Sequence, residues 1–258
     1  HLVSCIALVD PGSGRRWIFD AAPDLPEQLR RLDTIAPAHR NPATRDIAVD
    51  GIFLTHAHMG HYTGLMHLGR EALGGTGIPV FAMPRMREVL RSNGPWGQLI
   101  DLQNIEIMGL TPDAVIELGG EITVTPWAVP HREEYSETVG FVISTRRARA
   151  LYLPDIDKWE RWERSLPEVL EDLDYAFIDA TFFSAAELPD RSLEEIPHPT
   201  VQESIALLES LPEKERRKVH FIHLNHSNPA FDETGPAAAA IREAGMAVAK
   251  ESAIYRLD

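Results

Sequence analysis

The sequence is poor in cysteine, in long apolar runs and in basic residues. Cys5 is the single cysteine among 258 residues, so neither an internal disulfide nor a cysteine-based metal cage can form. No run of about 18 apolar residues is present, which argues against a membrane-spanning helix. No signal peptide opens the chain, and we expect a cytoplasmic protein. The sequence begins inside a strand-like run at His1, as expected of a truncated N-terminus.

The shortage of basic residues limits the classes of partner. The chain has 25 Lys and Arg against 39 Asp and Glu, which gives a formal net charge of −14. A field of this sign repels polyanions and anionic membrane surfaces. Apart from "EKERRK" at 213–218, no segment is dense in Lys and Arg. We therefore expect a small-molecule substrate, no nucleic acid and no membrane partner, with a homodimer as the candidate assembly.

Strand-like and helix-like patterns alternate along the whole chain. Runs rich in Val, Ile, Phe and Tyr dominate early, and strand–helix alternation follows later. Helical periodicity predicts helices that include residues 62–73, 158–173 and 200–211, the second with Trp159 and Trp162 facing inward. The last strand is predicted within residues 247–257. No linker rich in Gly, Ser or charge divides the chain, which favours one α/β domain over residues 1–258.

Three histidines stand close together in the stretch "GIFLTHAHMGHYTGL". Residues 51–55 read as a buried strand, so His56 and His58 project to the same side if the strand geometry continues, and His61 follows where a helix begins. Imidazole is the commonest neutral ligand for zinc or iron, and three protein ligands leave coordination positions open for water. The spacing predicts a metal site.

The same stretch resembles the first signature of the metallo-β-lactamase fold, HxHxDH. The resemblance continues in order with "WAVPH", "ALYLPD" and "KVHFIHLNH", each an apolar strand that ends in a ligand-type residue. It implies an α/β fold, the metallo-β-lactamase-like αββα four-layer sandwich, with metal at the sheet edges. Zinc, as one or two ions, is the metal expected, and iron or manganese are the alternatives. The resemblance implies two ligand sets: His56, His58 and His131 for the first metal, and His61, Asp155 and His223 for the second.

Gly60 stands where the signature has an aspartate. Without that carboxylate we expect a weakened second metal site, because dications favour anionic oxygen ligands. Glycine also permits a positive φ in a tight turn, which is a separate reason for its presence. Both explanations can hold together.

The catalytic candidates are Asp155, His226 and His198. Asp155 would bridge or orient a metal-bound hydroxide, whose pKa the metal lowers to about 7. His226, in "HLNHSNP", should face the metal if its loop turns tightly. His198 precedes a helix with Thr200 as the expected N-cap and resembles the "HST" element of tRNase Z-like phosphodiesterases, although prolines flank it here. Asp179 takes the place of an acid that orients a histidine in the same relatives.

Almost the full length of the chain resembles coenzyme PQQ synthesis protein B, a branch of the same superfamily. The segments that carry this resemblance include "TVGFVIS", "YAFIDATFF" and "FIHLNHSNPAFDETGP". That branch commonly has a degraded first signature, whereas this chain keeps its histidines. The leading expectation is a metal-dependent hydrolase that uses a metal-bound hydroxide on a small ester, lactone or phosphodiester. The alternatives are an iron-dependent oxygenase or biosynthesis factor like PQQ synthesis protein B, and a metal-binding protein without catalysis.

Overall fold

The computed structural model describes residues 1–37, 49–189 and 196–257, in two compact units. Unit 1 comprises His1–Ala114 and Glu133–Glu137, and unit 2 comprises Val115–Arg132 and Thr138–Asp258. The single domain over residues 1–258 stays a prediction.

Unit 1 is built on a five-stranded sheet in the order β1-β2-β3-β4-β5. Strand β1 pairs antiparallel with β2, and all later neighbours pair parallel. The strands are β1 (Ile6–Asp10), β2 (Arg15–Phe19), β3 (Gly51–Phe53), β4 (Ile78–Ala82) and β5 (Ile105–Gly109). The helices of this unit are α1 (Leu25–Ile35), α2 (Met59–Tyr62), α3 (Pro84–Ser92) and α4 (Trp96–Asp101), with a 3-10 helix at Thr63–Leu68.

Unit 2 is built on a seven-stranded sheet in the order β12-β11-β10-β9-β8-β7-β6. Strands β6 to β9 pair antiparallel, and β9 to β12 pair parallel. The strands are β6 (Ile116–Gly119), β7 (Ile122–Ala128), β8 (Val139–Ser144), β9 (Arg149–Leu153), β10 (Tyr175–Asp179), β11 (Val219–Ile222) and β12 (Ala247–Val248). The helices are α5 (Leu166–Glu171), α6 (Val201–Leu208), α7 (Glu213–Arg216) and α8 (Pro236–Glu243), with 3-10 turns at Trp159–Arg161, Ala185–Glu187 and Pro229–Phe231.

One face of the unit 2 sheet packs against its helices to form an apolar core. Alternate strand residues such as Leu151, Ile178 and Phe221 point to this face, as the period of two in a strand requires. They meet apolar residues of α5, α6 and α8. Trp159 and Trp162 join the core, as predicted, and remain only 7% and 6% exposed. This core supports the parallel strands of unit 2, and polar residues such as Asp179 lie at their carboxyl ends.

Two predicted helices are shorter than expected. Residues 62–73 hold only the end of α2 and the 3-10 helix, because the chain there lies against the backbone of unit 1. The Gly64 amide donates to Ala21 O at 2.9 Å, and a Cβ on Gly64 would lie 1.9 Å from Ala22 O. Residues 158–173 form a 3-10 turn and then α5, which starts late because Pro167 is tolerated only in the first turn of a helix.

The last strand is also shorter than predicted. Within 247–257 only Ala247–Val248 pairs, because a turn follows in which Ser252 has φ 62. The third predicted helix, over 200–211, is observed as α6 with Thr200 as its N-cap. Among the described residues, no helix has both the length and the apolar character needed to cross a bilayer.

Candidate metal centre

His56, His58 and His61 are close together in unit 1, after the carboxyl end of β3. His56 Nε2 and His58 Nδ1 are 2.8 Å apart, and the rings of His56 and His61 have centroids 4.3 Å apart. His56 and His61 are buried, and the side chain of His58 is 23% exposed. Ring nitrogens that face each other at this distance can share one proton or bind one cation. The convergence of these histidines expected from the sequence is observed.

Asp20, just after β2, sets the orientation of the rings in unit 1. Its fully buried carboxylate lies 2.8 Å from His61 Nδ1 and accepts bonds from the Thr55 amide and hydroxyl at 2.9 Å each. The Thr55 hydroxyl has one proton, which Asp20 accepts, so its oxygen can accept in turn from His56 Nδ1 at 3.0 Å. Both Nδ1 atoms then carry hydrogen, and in the neutral ring Nε2 is the nitrogen that can bind a metal. We call Asp20, Thr55 and the three histidines the unit 1 cluster.

A loop that belongs to unit 1, Glu133–Glu137, borders the cluster. His58 Nε2 lies 3.3 Å from Glu134 Oε2, and Ser136 Oγ accepts from the Ala57 amide at 2.9 Å. These contacts hold the backbone between His56 and His58 and place a carboxylate beside the more exposed histidine.

His131, Asp155, His198 and His223 lie close together in unit 2. Asp155, after the end of β9, is 3% exposed. Its carboxylate oxygens lie 3.9 Å from His131 Nε2, 3.4 Å from His198 Nδ1 and 3.4 Å from His223 Nε2. Two ligand atoms at about 2 Å from one ion lie about 3.3 Å apart in a tetrahedral arrangement. The His223 nitrogen and the Asp155 carboxylate therefore have the chemistry and the spacing of metal ligands, and His131 Nε2 lies slightly farther away.

Asp179, at the end of β10, makes the same kinds of contact in unit 2 that Asp20 makes in unit 1. Its buried carboxylate accepts from the amide and hydroxyl of Thr181 at 2.8 and 2.7 Å and lies 2.8 Å from His198 Nδ1. The Thr181 hydroxyl oxygen can accept from His223 Nδ1 at 3.0 Å. His223 therefore presents Nε2 to Asp155, from a backbone position with φ 59. We call these six residues, His131, Asp155, Asp179, Thr181, His198 and His223, the unit 2 cluster.

His198 differs from the other histidines in its charge environment. Burial lowers the pKa of His198, but Asp179 and Asp155 outweigh this effect, and the net pKa is raised above its ordinary value although Arg132 opposes the rise. Because Nδ1 lies beside Asp179, a ring that carries two protons directs Nδ1–H at this carboxylate and has its second proton on Nε2.

The predictions for Gly60 and His226 are not borne out by these contacts. The positive φ suggested for Gly60 is wrong, because Gly60 lies inside α2 and is not in the left-handed region. His226 is exposed, and within the described residues it is in none of the groups of metal-type donors, so its catalytic role stays a prediction. The assignment of individual metal ligands stays a prediction as well.

Sequence reasoning missed Asp20, Thr55 and Thr181. Asp20 has the signal that identified Asp155, since both acids follow a buried strand, "RWIF" in one case and "RALYL" in the other. The threonines have no such signal, because their importance comes from hydrogen bonds to residues distant in sequence.

The chain matches the family model described as the beta-lactamase superfamily domain over residues 15–224. It is 26% identical to the coenzyme PQQ synthesis protein B of Pseudomonas putida (strain GB-1), over 95% of this chain and 84% of that protein. The Zn(2+)-bound PqqB from Methylobacterium extorquens superposes with a TM-score of 0.78 at 20% identity, covering 95% of this chain and 84% of that one. A diphosphatase from the PhnP family gives a TM-score of 0.63 at 22% identity, covering 96% and 81%.

These similarities confirm the predicted α/β fold of the metallo-β-lactamases. The resemblance to the PQQ synthesis protein B branch is confirmed by the relatives that bear this name. The family model covers most of this chain, and the chain therefore belongs to the family described as the beta-lactamase superfamily domain.

Proposed function

We propose that the protein is a metal-dependent hydrolase of a small phosphodiester, ester or lactone. The proposed ligands are those implied by the family resemblance: His56, His58 and His131 for one ion, and His61, Asp155 and His223 for a second. Zinc is the proposed metal. The donor chemistry within each cluster supports this, since the ring nitrogens and the Asp155 carboxylate suit a borderline dication.

One arrangement carries the proposal: a buried histidine, whose pKa is raised by two carboxylates, lies beside ligand-type groups in unit 2. The His198 ring is fixed by Asp179 at 2.8 Å, and its Nδ1 lies 3.4 Å from the Asp155 carboxylate. A site that only stores metal needs no proton donor. A hydrolase needs one, because the departing oxygen must receive a proton.

The residues of the unit 2 cluster divide the proposed reaction between them. When bound, the metal supplies a water of lowered pKa and polarises the substrate oxygen. Asp155 orients the attacking water through a hydrogen bond, and this water releases one proton to solvent. As the new bond to phosphorus or carbon forms and the bond to the leaving oxygen breaks, His198 gives its Nε2 proton to that oxygen. Asp179 keeps the His198 ring in place throughout.

Metal-free protein reloaded separately with Zn²⁺, Mn²⁺ and Fe²⁺ tests the proposal. We expect metal-dependent hydrolysis of at least one of methyl p-nitrophenyl phosphate, p-nitrophenyl acetate and a γ-lactone. Asp155→Asn should lower kcat by about 10²-fold or more. The matched control is Asp174→Asn, because Asp174 accepts from the Arg149 amide in the same unit, outside the cluster. Folded, fully loaded protein that hydrolyses none of the three would contradict the proposal.

The second candidate is an iron-dependent oxygenase or biosynthesis factor. It is favoured by the relatives named coenzyme PQQ synthesis protein B, which match over 95% of the chain, and by the suitability of histidine and carboxylate donors for Fe(II). Iron in protein purified without added metal, together with oxygen consumption and no hydrolysis, would favour it. Full metal content without either activity would indicate a metal-binding protein. The cytoplasmic location, the small-molecule substrate and the homodimer stay predictions.

A further inference from the structure

Lys158 is a buried lysine three residues after Asp155. It is 4% exposed, and its ammonium group donates to three acceptors. Two are the carboxylate oxygens of Glu203, at 2.9 Å each, and the third is the backbone carbonyl of His198 at 3.0 Å. An ammonium has three N–H donors, so every donor of Lys158 is used. Removing a charge from water is costly, and a buried ion pair often contributes little net stability.

The segment around His198 explains what the lysine contributes. His198 lies between Pro197 and Pro199, and neither proline has an amide hydrogen that could anchor the loop. The segment has no helix or strand geometry, although Pro199 and Thr200 are buried. The bond from Lys158 holds the carbonyl between the two prolines. It thereby fixes the main chain of His198, while Asp179 fixes the ring.

Glu203 links the lysine to helix α6. Its Oε2 accepts from the Thr200 amide at 2.7 Å and from the Thr200 hydroxyl at 2.9 Å, and the Glu203 amide donates back to Thr200 Oγ1 at 3.1 Å. This capping box fixes the start of α6 two residues after His198. Lys158 therefore bonds both His198 and the helix start that follows it.

The segment 155–158, which ends at Lys158, is also fixed next to the ligand-type residues of unit 2. The Asp157 amide donates to Pro130 O at 2.7 Å, and the Ile156 amide donates to Asp179 Oδ2 at 3.2 Å. This segment is thus hydrogen-bonded to Pro130, the residue before His131, and to Asp179. Any displacement of Lys158 would move His198 relative to Asp155.

We propose that Lys158 is a positioning residue that holds His198 where it can protonate a leaving oxygen beside Asp155. The inference rests on the proposed hydrolase function and narrows its substrate class. A proton donor fixed by a buried ion pair is of use only when the departing group is a poor one, such as an alkoxide or a phenolate. The natural substrate is therefore a diester or ester of an ordinary alcohol, not one with an activated leaving group.

The test compares two substrates that differ only in the leaving group, methyl p-nitrophenyl phosphate and methyl phenyl phosphate. p-Nitrophenolate leaves without a proton, whereas phenolate needs one. In Lys158→Met the apolar stem remains and the ammonium is lost. We expect kcat for the phenyl ester to fall by about 10- to 10²-fold, less than the 10²–10⁴ typical of losing a general acid outright. The p-nitrophenyl ester should be nearly unaffected, and metal content should be unchanged.

Two further variants and a matched control sharpen the comparison. Lys158→Arg keeps donors for a carboxylate and a carbonyl and should recover most of the phenyl ester activity. Lys158→Gln, made in case Lys158→Met fails to fold, should show the same selectivity as Lys158→Met. The control is Lys218→Met, because Lys218 also donates to a backbone carbonyl, Leu170 O at 2.6 Å, and pairs with a glutamate, but elsewhere in unit 2. It should affect both substrates alike.

A second measurement needs no turnover. In protein with ¹⁵N-labelled histidine, the Nδ1–H signal of His198 is assigned by its absence in His198→Gln. We expect this proton to exchange with water about tenfold faster in Lys158→Met than in the wild type and in Lys218→Met. Hydrolysis of neither ester by the wild type would count against the phosphodiester substrate class, and the exchange rates would still decide the role of Lys158. Equal slowing of both esters, or unchanged exchange, would overturn the inference.

Discussion

Two buried aspartates determine which ring nitrogen the neighbouring histidines present. Asp20 in unit 1 and Asp179 in unit 2 each accept the amide and the hydroxyl of one threonine and lie 2.8 Å from a histidine Nδ1. Each arrangement directs Nδ1–H at a carboxylate. In both units Nε2 is thereby left for the site, and we propose that it binds metal in unit 1 and donates a proton in unit 2.

Asp20→Asn should weaken metal binding by about 10- to 100-fold, the usual effect of losing a hydrogen-bond partner behind a ligand. The new amide can donate to His61 Nδ1, which favours a proton on Nε2, the nitrogen assigned to the metal. Competitive chelator titration of the folded variant measures this.

The matched control for that measurement is Asp50→Asn. Asp50 accepts from Arg15 and from the Arg16 amide in the same unit, so the variant removes an acid of similar partners outside the cluster. Its metal affinity should be that of the wild type. Wild-type affinity in Asp20→Asn as well would show that His61 does not bind metal through Nε2.

Among the elements, α2 decides whether a carboxylate could be added beside the histidines. Gly60 lies in this helix without positive φ, and a Cβ there would meet Val3 Cγ1 at 3.6 Å, an ordinary contact. A side chain is therefore tolerated at this position. The contrast is Gly64, where a Cβ would lie 1.9 Å from Ala22 O.

Gly60→Asp should raise the affinity for a second metal ion, because an anionic oxygen ligand stabilises a dication more than neutral imidazoles alone do. Metal analysis after dialysis against a mild chelator should show stoichiometry rising toward two. Gly60→Asn has the same shape without the charge and should show a smaller gain. If the aspartate variant folds and its stoichiometry and affinity stay unchanged, the missing carboxylate does not weaken the second site.

The strand ends were predictable from sequence, and so were the residues that follow them. An apolar run indicates a buried strand, and the first polar residue after the run lies near the end of that strand. The resemblance to the metallo-β-lactamase fold placed His131, Asp155 and His223 at such strand ends, and the structure brings the three close together. The same rule applied to "RWIFD" would have found Asp20.

The irregular elements were not predictable, because distant contacts decide them. Periodicity predicted a helix over 62–73, but the backbone approach of Gly64 to Ala21 and Ala22 overrides it. The role of Lys158 was hidden for the same reason. Its three acceptors lie 40 and 45 residues away in sequence, and only the fold makes them neighbours.

For the whole molecule, the dependence of stability on pH tests the environment of His220. His220, in β11, packs against Phe177 and Tyr255, with ring centroids 5.5 and 4.7 Å away, and its Nδ1 lies 3.4 Å from the Tyr255 hydroxyl. Burial lowers the pKa of His220 below its ordinary value of 6.5. The folded state therefore binds this proton less readily than the unfolded chain does.

It follows that the contribution of His220 to the free energy of unfolding decreases as the pH falls. Above pH 6.5 the ring is neutral in both states and its packing is fully effective, and below that pH the unfolded chain takes up the proton first, so stability is lost until the folded pKa is passed. His220→Phe keeps a ring and cannot be protonated. Its free energy of unfolding should fall less than that of the wild type between pH 7 and 5, measured by urea denaturation of metal-free protein. Tyr255→Phe removes only the hydroxyl and should retain the wild-type slope. Parallel curves for wild type and His220→Phe would mean that the ring is not buried in the aromatic cluster.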